Sequence, residues 1–480
     1  MSKDVFYSAI KICVFLSFGL LTAVTHADPN AVCDDLERLA CTPGQYDDGT
    51  GKASNGTVAD NANDTIKQQN LKIARERFGK SLQDPSNSYF RKAVLSATGL
   101  SLVPQCDGAE DKPSAACLNL LADGVSDIFA KQQYGSSGAG RFTPYGSGSN
   151  ISDKTYVTDS PIFKSIRDEI LGKVRKGLGE DAVNQKAGQK VFPQVKQLLL
   201  KQIDLLVKDP ATRKMLTDKV SSIRYQGSDC SKDFGSGETI PGLMITNAFY
   251  SPTQNTFKFC TGMDISNSSE FQMAFVIAHE LAHSIDPCGI TLGPKDFSFH
   301  YKPDDTRAQA EAEFPFPGVV GCLRSNKSVQ AKPSVQTNAY SIGSNGAVGM
   351  YGSSPVQPDK FKSFCERDQI TESFADWMAA EITPQYIDKN FPRLAAQQLR
   401  FGYSNIWRGM CNDSPAYADS GDPHPAQVDR TNKIILVQPL IRSQMKCSKS
   451  LPETVYCAVG DPHAPPSVVP VSPSTAKAVK

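Results

Sequence analysis

Phe271-Gln-Met-Ala-Phe-Val-Ile-Ala-His-Glu-Leu-Ala-His283 decides how this chain is read. The apolar run from Phe271 to Ala278 predicts a buried helix, and on a helix residues four apart share a face. His279 and His283 therefore aim two ring nitrogens at one place, with Glu280 one step round beside them. Two imidazoles at this spacing suit a zinc ion, and the carboxylate between them suits a base acting on water. The chemistry implied is metal-assisted hydrolysis. A helix that merely buries two histidines next to a solvated glutamate has the same local pattern, so the rest of the chain must decide between the two.

A catalytic zinc takes three protein ligands and keeps one position open. After His283 the chain reads Ser284-Ile-Asp-Pro-Cys-Gly289, with no histidine at the metzincin spacing, which excludes that class. Downstream, Ile370-Thr-Glu-Ser-Phe-Ala-Asp-Trp-Met-Ala-Ala380 predicts a helix carrying Glu372 and Asp376 one turn apart. One carboxylate would bind zinc and the other would back a ligand histidine, the Glu-x-x-x-Asp helix of a gluzincin. Acid pairs of this kind are common on solvated helices. Here Ile370, Phe374, Ala375, Trp377 and Met378 flank them, so the face is expected to be buried, where a carboxylate requires a cation or a proton.

Two further motifs join these. Asn247-Ala-Phe-Tyr-Ser251 precedes the zinc helix, and Asp422-Pro-His-Pro425 follows the acidic one, with Arg430 six residues after His424. In this order, over roughly residues 240 to 450, the four motifs resemble the neprilysin and endothelin-converting enzyme family of zinc metallopeptidases. The resemblance implies a thermolysin-like catalytic domain with His279, His283 and Glu372 as ligands of one Zn2+ and Glu280 as general base. It implies that Asp376 orients a ligand imidazole, His424 donates to the oxyanion, and Asp422 supports His424. It also implies that Arg430 grips a substrate carbonyl or carboxylate and that Asn247 and Ala248 hold the peptide backbone. Such roles fit the chemistry, since a developing oxyanion needs a preplaced donor and an arginine fork matches a carboxylate. A catalytically silent zinc-binding protein of the same fold is the alternative, and no residue here recommends it. A hydrolase of non-peptide bonds fits Asn247, Ala248 and Arg430 less well. The chain departs from the family in three places: too few residues precede Asn247 for the family's full helical cap, Gly- and Ser-rich sequence lies between His283 and Glu372, and a proline-rich tail follows Cys457. The echo Gly460-Asp-Pro-His463 has no following arginine, so His463, like His300, is read as incidental.

The expected class is mainly α with a small β component. Lys3 and Lys11, the apolar run Ile12 to Val24, and Thr25-His-Ala27 predict a cleaved signal peptide over 1–27, hence a periplasmic or secreted protein with no membrane span after cleavage. Residues 28–157 are read as a loop-rich, disulfide-tied region in which a helical stretch begins near Thr65, 158–457 as the metallopeptidase domain, and 458–480 as a Pro-rich disordered tail. Residues 134–150 read as a linker, and 325–358 as a surface insertion. Pro161 after Asp159-Ser160 starts a predicted helix, Val195 to Val207 forms another, and 245–260 predicts two short strands with a polar turn. With 13 cysteines, one of them in the signal, export favours disulfides, and proximity suggests Cys33–Cys41, Cys106–Cys117 and Cys447–Cys457. A net charge of +1 gives no reason to expect nucleic acid. Peptides or small proteins are the expected partners.

Overall fold

A computed structural model describes residues 31–36, 40, 58–134, 151–177, 183–228, 230–231, 233, 239–245, 247–264, 269–293, 297, 299–301, 307–325, 340–342, 348–350, 369–408, 424–448 and 456–457. The stretches read as a signal and as a tail, and all of that read as a linker beyond Tyr134, lie outside them, as do Asp422 and His463.

The described chain is mainly helical, as expected. α1 (Val58–Gln83), α2 (Ser88–Thr98), α3 (Ala115–Tyr134), α4 (Ile151–Asp159) and α5 (Pro161–Gly177) come first, then α6 (Val183–Leu206) and α7 (Pro210–Ser221). Ser160 caps α5 by accepting from Phe163 N at 3.1 Å, and Asp209 caps α7 by accepting from Thr212 N at 2.7 Å. Within the region read as loop-rich, the described residues 58–134 are largely helix, and the helical stretch expected from Thr65 lies in α1, whose last turns bury Ala74, Phe78 and Leu82.

Two cores divide the molecule. Phe78, Phe90, Phe129 and Phe163 centre the first, which takes side chains from α1 to α5 and from the turn Ile240–Leu243. The second runs from α6 to the C-terminal residues and includes Leu36 and Ala40. Packing separates after α5, whose Phe163, Ile170 and Leu171 join the aromatic cluster of α1 and α3.

A three-stranded sheet lies in the second core, ordered β1 (Arg224–Ser228), β3 (Thr256–Cys260), β2 (Ala248–Ser251). β3 is Thr-Phe-Lys-Phe-Cys, buried throughout, parallel to β1 and antiparallel to β2. The β2–β3 turn is the predicted polar one, and Asn255 takes φ 46° there, a conformation asparagine tolerates. Tyr340–Ile342 and Val348–Met350 pair antiparallel within the sequence read as an insertion.

α8 (Glu270–Ala282) and α9 (Ile370–Asn390) cross the second core side by side. Ser269 caps α8, accepting from Gln272 N at 3.2 Å. α9 is buried on nearly every side, with Ile370, Phe374, Trp377, Met378, Ile382 and Tyr386 all inside. At the far end from the histidines, Tyr386 Oη donates to Glu270 Oε1 at 2.5 Å. The two helices therefore run antiparallel. α10 (Ala396–Arg408) covers α8.

Of the disulfides expected from proximity, Cys106–Cys117 forms. The other two are corrected: Cys33 bonds Cys447 and Cys457 bonds Cys322, while Cys230 bonds Cys260. Folding brings the N-terminal segment onto the C-terminal one, where Arg442 Nη1 donates to Cys33 O at 2.9 Å, so sequence distance misleads. Among the described residues no helix is long and apolar enough to cross a membrane.

Gly402 is where α10 touches α8: a Cβ there would lie 2.5 Å from Cε1 of Phe271 and 2.8 Å from Cζ. Gly402→Ala is expected to lower stability by about 1–3 kcal/mol through overpacking, although alanine in a helix ordinarily gains roughly 0.5–1 kcal/mol over glycine. Chemical denaturation reads the sign, and a more stable variant would refute the close contact.

Candidate metal centre

The last turn of α8 and the first turn of α9 meet at one point. His279 Nε2 lies 3.2 Å from His283 Nε2 and 3.1 Å from Glu372 Oε2, and His283 Nε2 lies 3.5 Å from the same oxygen. These three are the ligand set read from the sequence. Zinc bonds to nitrogen and carboxylate oxygen measure about 2.0–2.1 Å, which puts tetrahedral ligand atoms about 3.3 Å apart. The observed edges match that figure.

The proton pattern points the same way. His279 Nδ1 faces Asp376 Oδ1 at 2.9 Å, and His283 Nδ1 faces Asp286 Oδ2 at 2.7 Å. A carboxylate at each Nδ1 fixes the proton there and leaves the Nε2 lone pairs turned toward each other. Glu372 Oε2 joins them, buried and accepting no hydrogen bond of good geometry. Three inward acceptors in a buried place repel one another unless a cation lies between them. A set of two nitrogens and one oxygen suits zinc, so the residues fit the ion.

Electrostatics follow from these neighbours. Burial disfavours charge on both imidazoles, but Asp376 and Glu372 for His279, and Glu372 and Asp286 for His283, outweigh it and raise both pKa values. The same negative potential attracts a divalent cation. Glu372 is held well below the ordinary carboxylate range: burial opposes this, and His283, His279 and His424 overcome it. Asp376, likewise disfavoured by burial, is brought down to about 2 by Arg430 and His279. Its contribution to stability is therefore present above about pH 4 and is lost as the pH falls toward 2. Burial pushes the Glu280 carboxyl up, reinforced by Glu372 and opposed by the two histidines.

The remaining expected residues surround this point. Glu280 Oε2 accepts from Tyr250 N on β2 at 3.1 Å, which ties α8 to the sheet. Ala248 is buried on the same strand, and Asn247 is exposed just before it. His424 comes within 3.2 Å of Glu372 Oε2 through Nε2 and is more than a third exposed. Arg430 is buried. Its Nε donates to Asp376 Oδ2 at 2.7 Å and its Nη2 to Asp376 Oδ1 at 2.9 Å, while the guanidinium carbon stands 5.0 Å from the Trp407 ring centre. His300 is exposed.

Sequence reasoning passed over Asp286. Its Oδ1 accepts from Cys288 N at 2.8 Å and Gly289 N at 2.6 Å, while its Oδ2 serves His283. An acid three residues past the second histidine was the available signal. Gly289 is obligatory in that turn, since a Cβ would come 1.6 Å from His283 O.

Asp376→Asn is expected to weaken zinc binding about 10- to 100-fold by replacing the carboxylate behind His279 with a neutral amide. It also strands Arg430 in the interior. Competition titration with a zinc-chelating dye measures the first effect, and an unchanged affinity would remove Asp376 from the site.

No known protein family matches the sequence, and no curated protein does. Among solved structures the chain is similar to the zinc metalloprotease Zmp1 of Mycobacterium tuberculosis, determined in complex with an inhibitor. That likeness has 13% identity and a TM-score of 0.40, covering 71% of this chain and 54% of that one. It is also similar to PepO of Lactobacillus rhamnosis HN001 (DR20), at 14% identity and a TM-score of 0.37, covering 76% and 55%. The match spans about half the length of either protein.

Proposed function

We propose that this chain is an exported zinc metallopeptidase of the gluzincin type, with Zn2+ held by His279, His283 and Glu372. The observation that carries the reading is the triangle of three inward acceptors, 3.1–3.5 Å on a side, with a carboxylate on the adjacent helical position. When bound, zinc supplies the Lewis acidity that polarises a carbonyl and makes water a nucleophile at neutral pH.

Glu280 takes the proton of the attacking water. Its Oε2 is engaged by Tyr250 N, which leaves Oε1 for the transfer, and its raised pKa brings it nearer the working pH of a general base. The proton then passes to the amide nitrogen as the carbon–nitrogen bond breaks. His424 donates to the oxyanion from Nε2. Asp422, outside the described residues, is assigned the support of His424 on the family resemblance alone.

β2 supplies the substrate track. Cys260 N donates to Asn247 O at 3.0 Å, so Asn247 and its alternate residues face β3. Ala248 and Tyr250 then turn their backbone groups to the outer edge of the described sheet, where Ala248 N donates to Asn247 Oδ1 at 2.8 Å and Tyr250 N to Glu280 Oε2. An extended peptide laid along that edge beside Glu280 would donate its own N–H groups to the carbonyls of β2. Ala248 and Asn247 hold it, as the resemblance implies. Arg430 reaches a substrate carbonyl only through donors not already given to Asp376, so its first role is to steady that carboxylate.

Four disulfides among the described residues accord with export to an oxidising compartment. Peptides or small proteins are the proposed substrates.

Glu280→Gln is expected to keep one zinc per chain and lose peptide turnover by about 10²-fold or more, since it removes the base and none of the ligands. Metal analysis and cleavage of a quenched fluorescent peptide library, on the same preparation, measure both. Chelation should silence the wild type and added zinc should restore it. Turnover by the variant within tenfold of wild type would refute the assignment.

A further inference from the structure

The hydrolytic reading needs His424 at a fixed place, and its side chain is more than a third exposed. We propose that Gln369 is the positioning residue that fixes His424, an inference that rests on the function proposed above.

Gln369 Nε2 donates to the backbone carbonyl of His424 at 2.8 Å. Gln369 is buried, so water competes poorly for that bond. Its own carbonyl accepts from Ser373 N at 2.9 Å and opens the first turn of α9. A residue at this cap position ordinarily turns its side chain back onto the helix; here no such capping bond forms, and the amide reaches across to the His424 segment instead. Glu372 follows three positions later. One residue thereby sets both the ligand carboxylate, through the helix it starts, and the oxyanion donor, through the carbonyl it holds. Pro425, buried next in sequence, anchors the other side of the histidine. With its backbone pinned, only the imidazole torsions of His424 remain to be ordered, and Nε2 stays within 3.2 Å of Glu372 Oε2.

Glutamine suits the task because it is neutral. A lysine at 369 would add a cation to a cluster whose negative potential attracts the metal, and a glutamate has no proton to donate.

The test compares full-length, zinc-loaded wild type with Gln369→Met, His424→Ala and the double variant on a quenched fluorescent peptide that the wild type cleaves. Methionine keeps the volume and removes the donor. Gln369→Met is expected to lower kcat about tenfold or more, with KM within about twofold, because a misaimed oxyanion donor weakens the transition state and not ground-state binding. Zinc stoichiometry should stay at the wild-type value. In the His424→Ala background the same substitution should change kcat by less than about twofold, since two residues acting as one unit are not additive. A second readout is independent of turnover: hydrogen exchange over 424–430 should quicken in Gln369→Met, with or without zinc, while exchange over 370–380 stays as in wild type. A loss from His424→Ala without one from Gln369→Met, additive losses, or unchanged exchange over 424–430 would overturn this proposal alone. Equal turnover in wild type and His424→Ala would overturn the role given to His424 and this proposal with it.

Discussion

Three electron-rich atoms held together away from water form the constraint on which the rest of the structure depends. His279 Nε2, His283 Nε2 and Glu372 Oε2 would separate if their helices were free to slide, because each acceptor repels the others. Apolar packing prevents it. From Glu372 to Tyr386 is 14 positions, about 21 Å of helix, and from Glu270 to His283 is 13 positions, about 19.5 Å. The two antiparallel helices are thus held in register by that packing and by the Tyr386–Glu270 bond, which stands at nearly the same distance from the triangle along each helix. Slippage by one turn would break that bond and open the triangle at once.

Each imidazole has its own carboxylate, and each carboxylate has its own anchor. Asp376 comes from the opposite helix and is gripped by the buried guanidinium of Arg430. Asp286 comes from the turn after α8 and is gripped by the amides of Cys288 and Gly289. That turn is pinned in its turn by Lys219, whose buried ammonium donates to Gly289 O at 2.9 Å and Leu292 O at 2.7 Å. Burial lowers the pKa of Lys219 to about 8, even with Asp286 close by to oppose it. The arrangement keeps both imidazoles in one tautomer, which a metal centre needs and a buried histidine pair has no use for.

What could be read beforehand followed from local rules. The His279–His283 face, the Glu372–Asp376 turn, the cap at Ser160 and the 245–260 strand pair depend on spacing of a few residues, and all appear where expected. The helical stretch expected from Thr65 lies in α1, whereas α2 and α3, with buried faces that include Phe90, Val94, Leu121 and Phe129, carry no sequence expectation of a helix. Cys33–Cys447 and Cys322–Cys457 span 414 and 135 residues, and no local rule reaches that far. Asp286 sat in view but was read only as the absence of a metzincin histidine. Gln369 carried no signal, since its partner is a backbone carbonyl that any residue at 424 would present.

Arg430 depends on an unusual stretch of backbone. Residues Arg430–Ile435 form a π-helix, and Leu436 N donates to Thr431 O at 2.8 Å, five residues back. The wider turn is intrinsically poorer than an α-helix, so it must be held from outside. Asn432, within it, accepts from Leu36 N at 3.0 Å and donates to Asp35 Oδ1 at 2.9 Å. Cys33, two residues earlier, is bonded to Cys447. The N-terminal segment therefore clamps the π-helix against the C-terminal one, and the π-helix aims Arg430 at Asp376. The disulfide-joined segments around Cys33 and Cys447 thus reach the His279–His283–Glu372 triangle through one asparagine, one arginine and one aspartate, which links a distant disulfide to His279 by an unbroken chain of contacts.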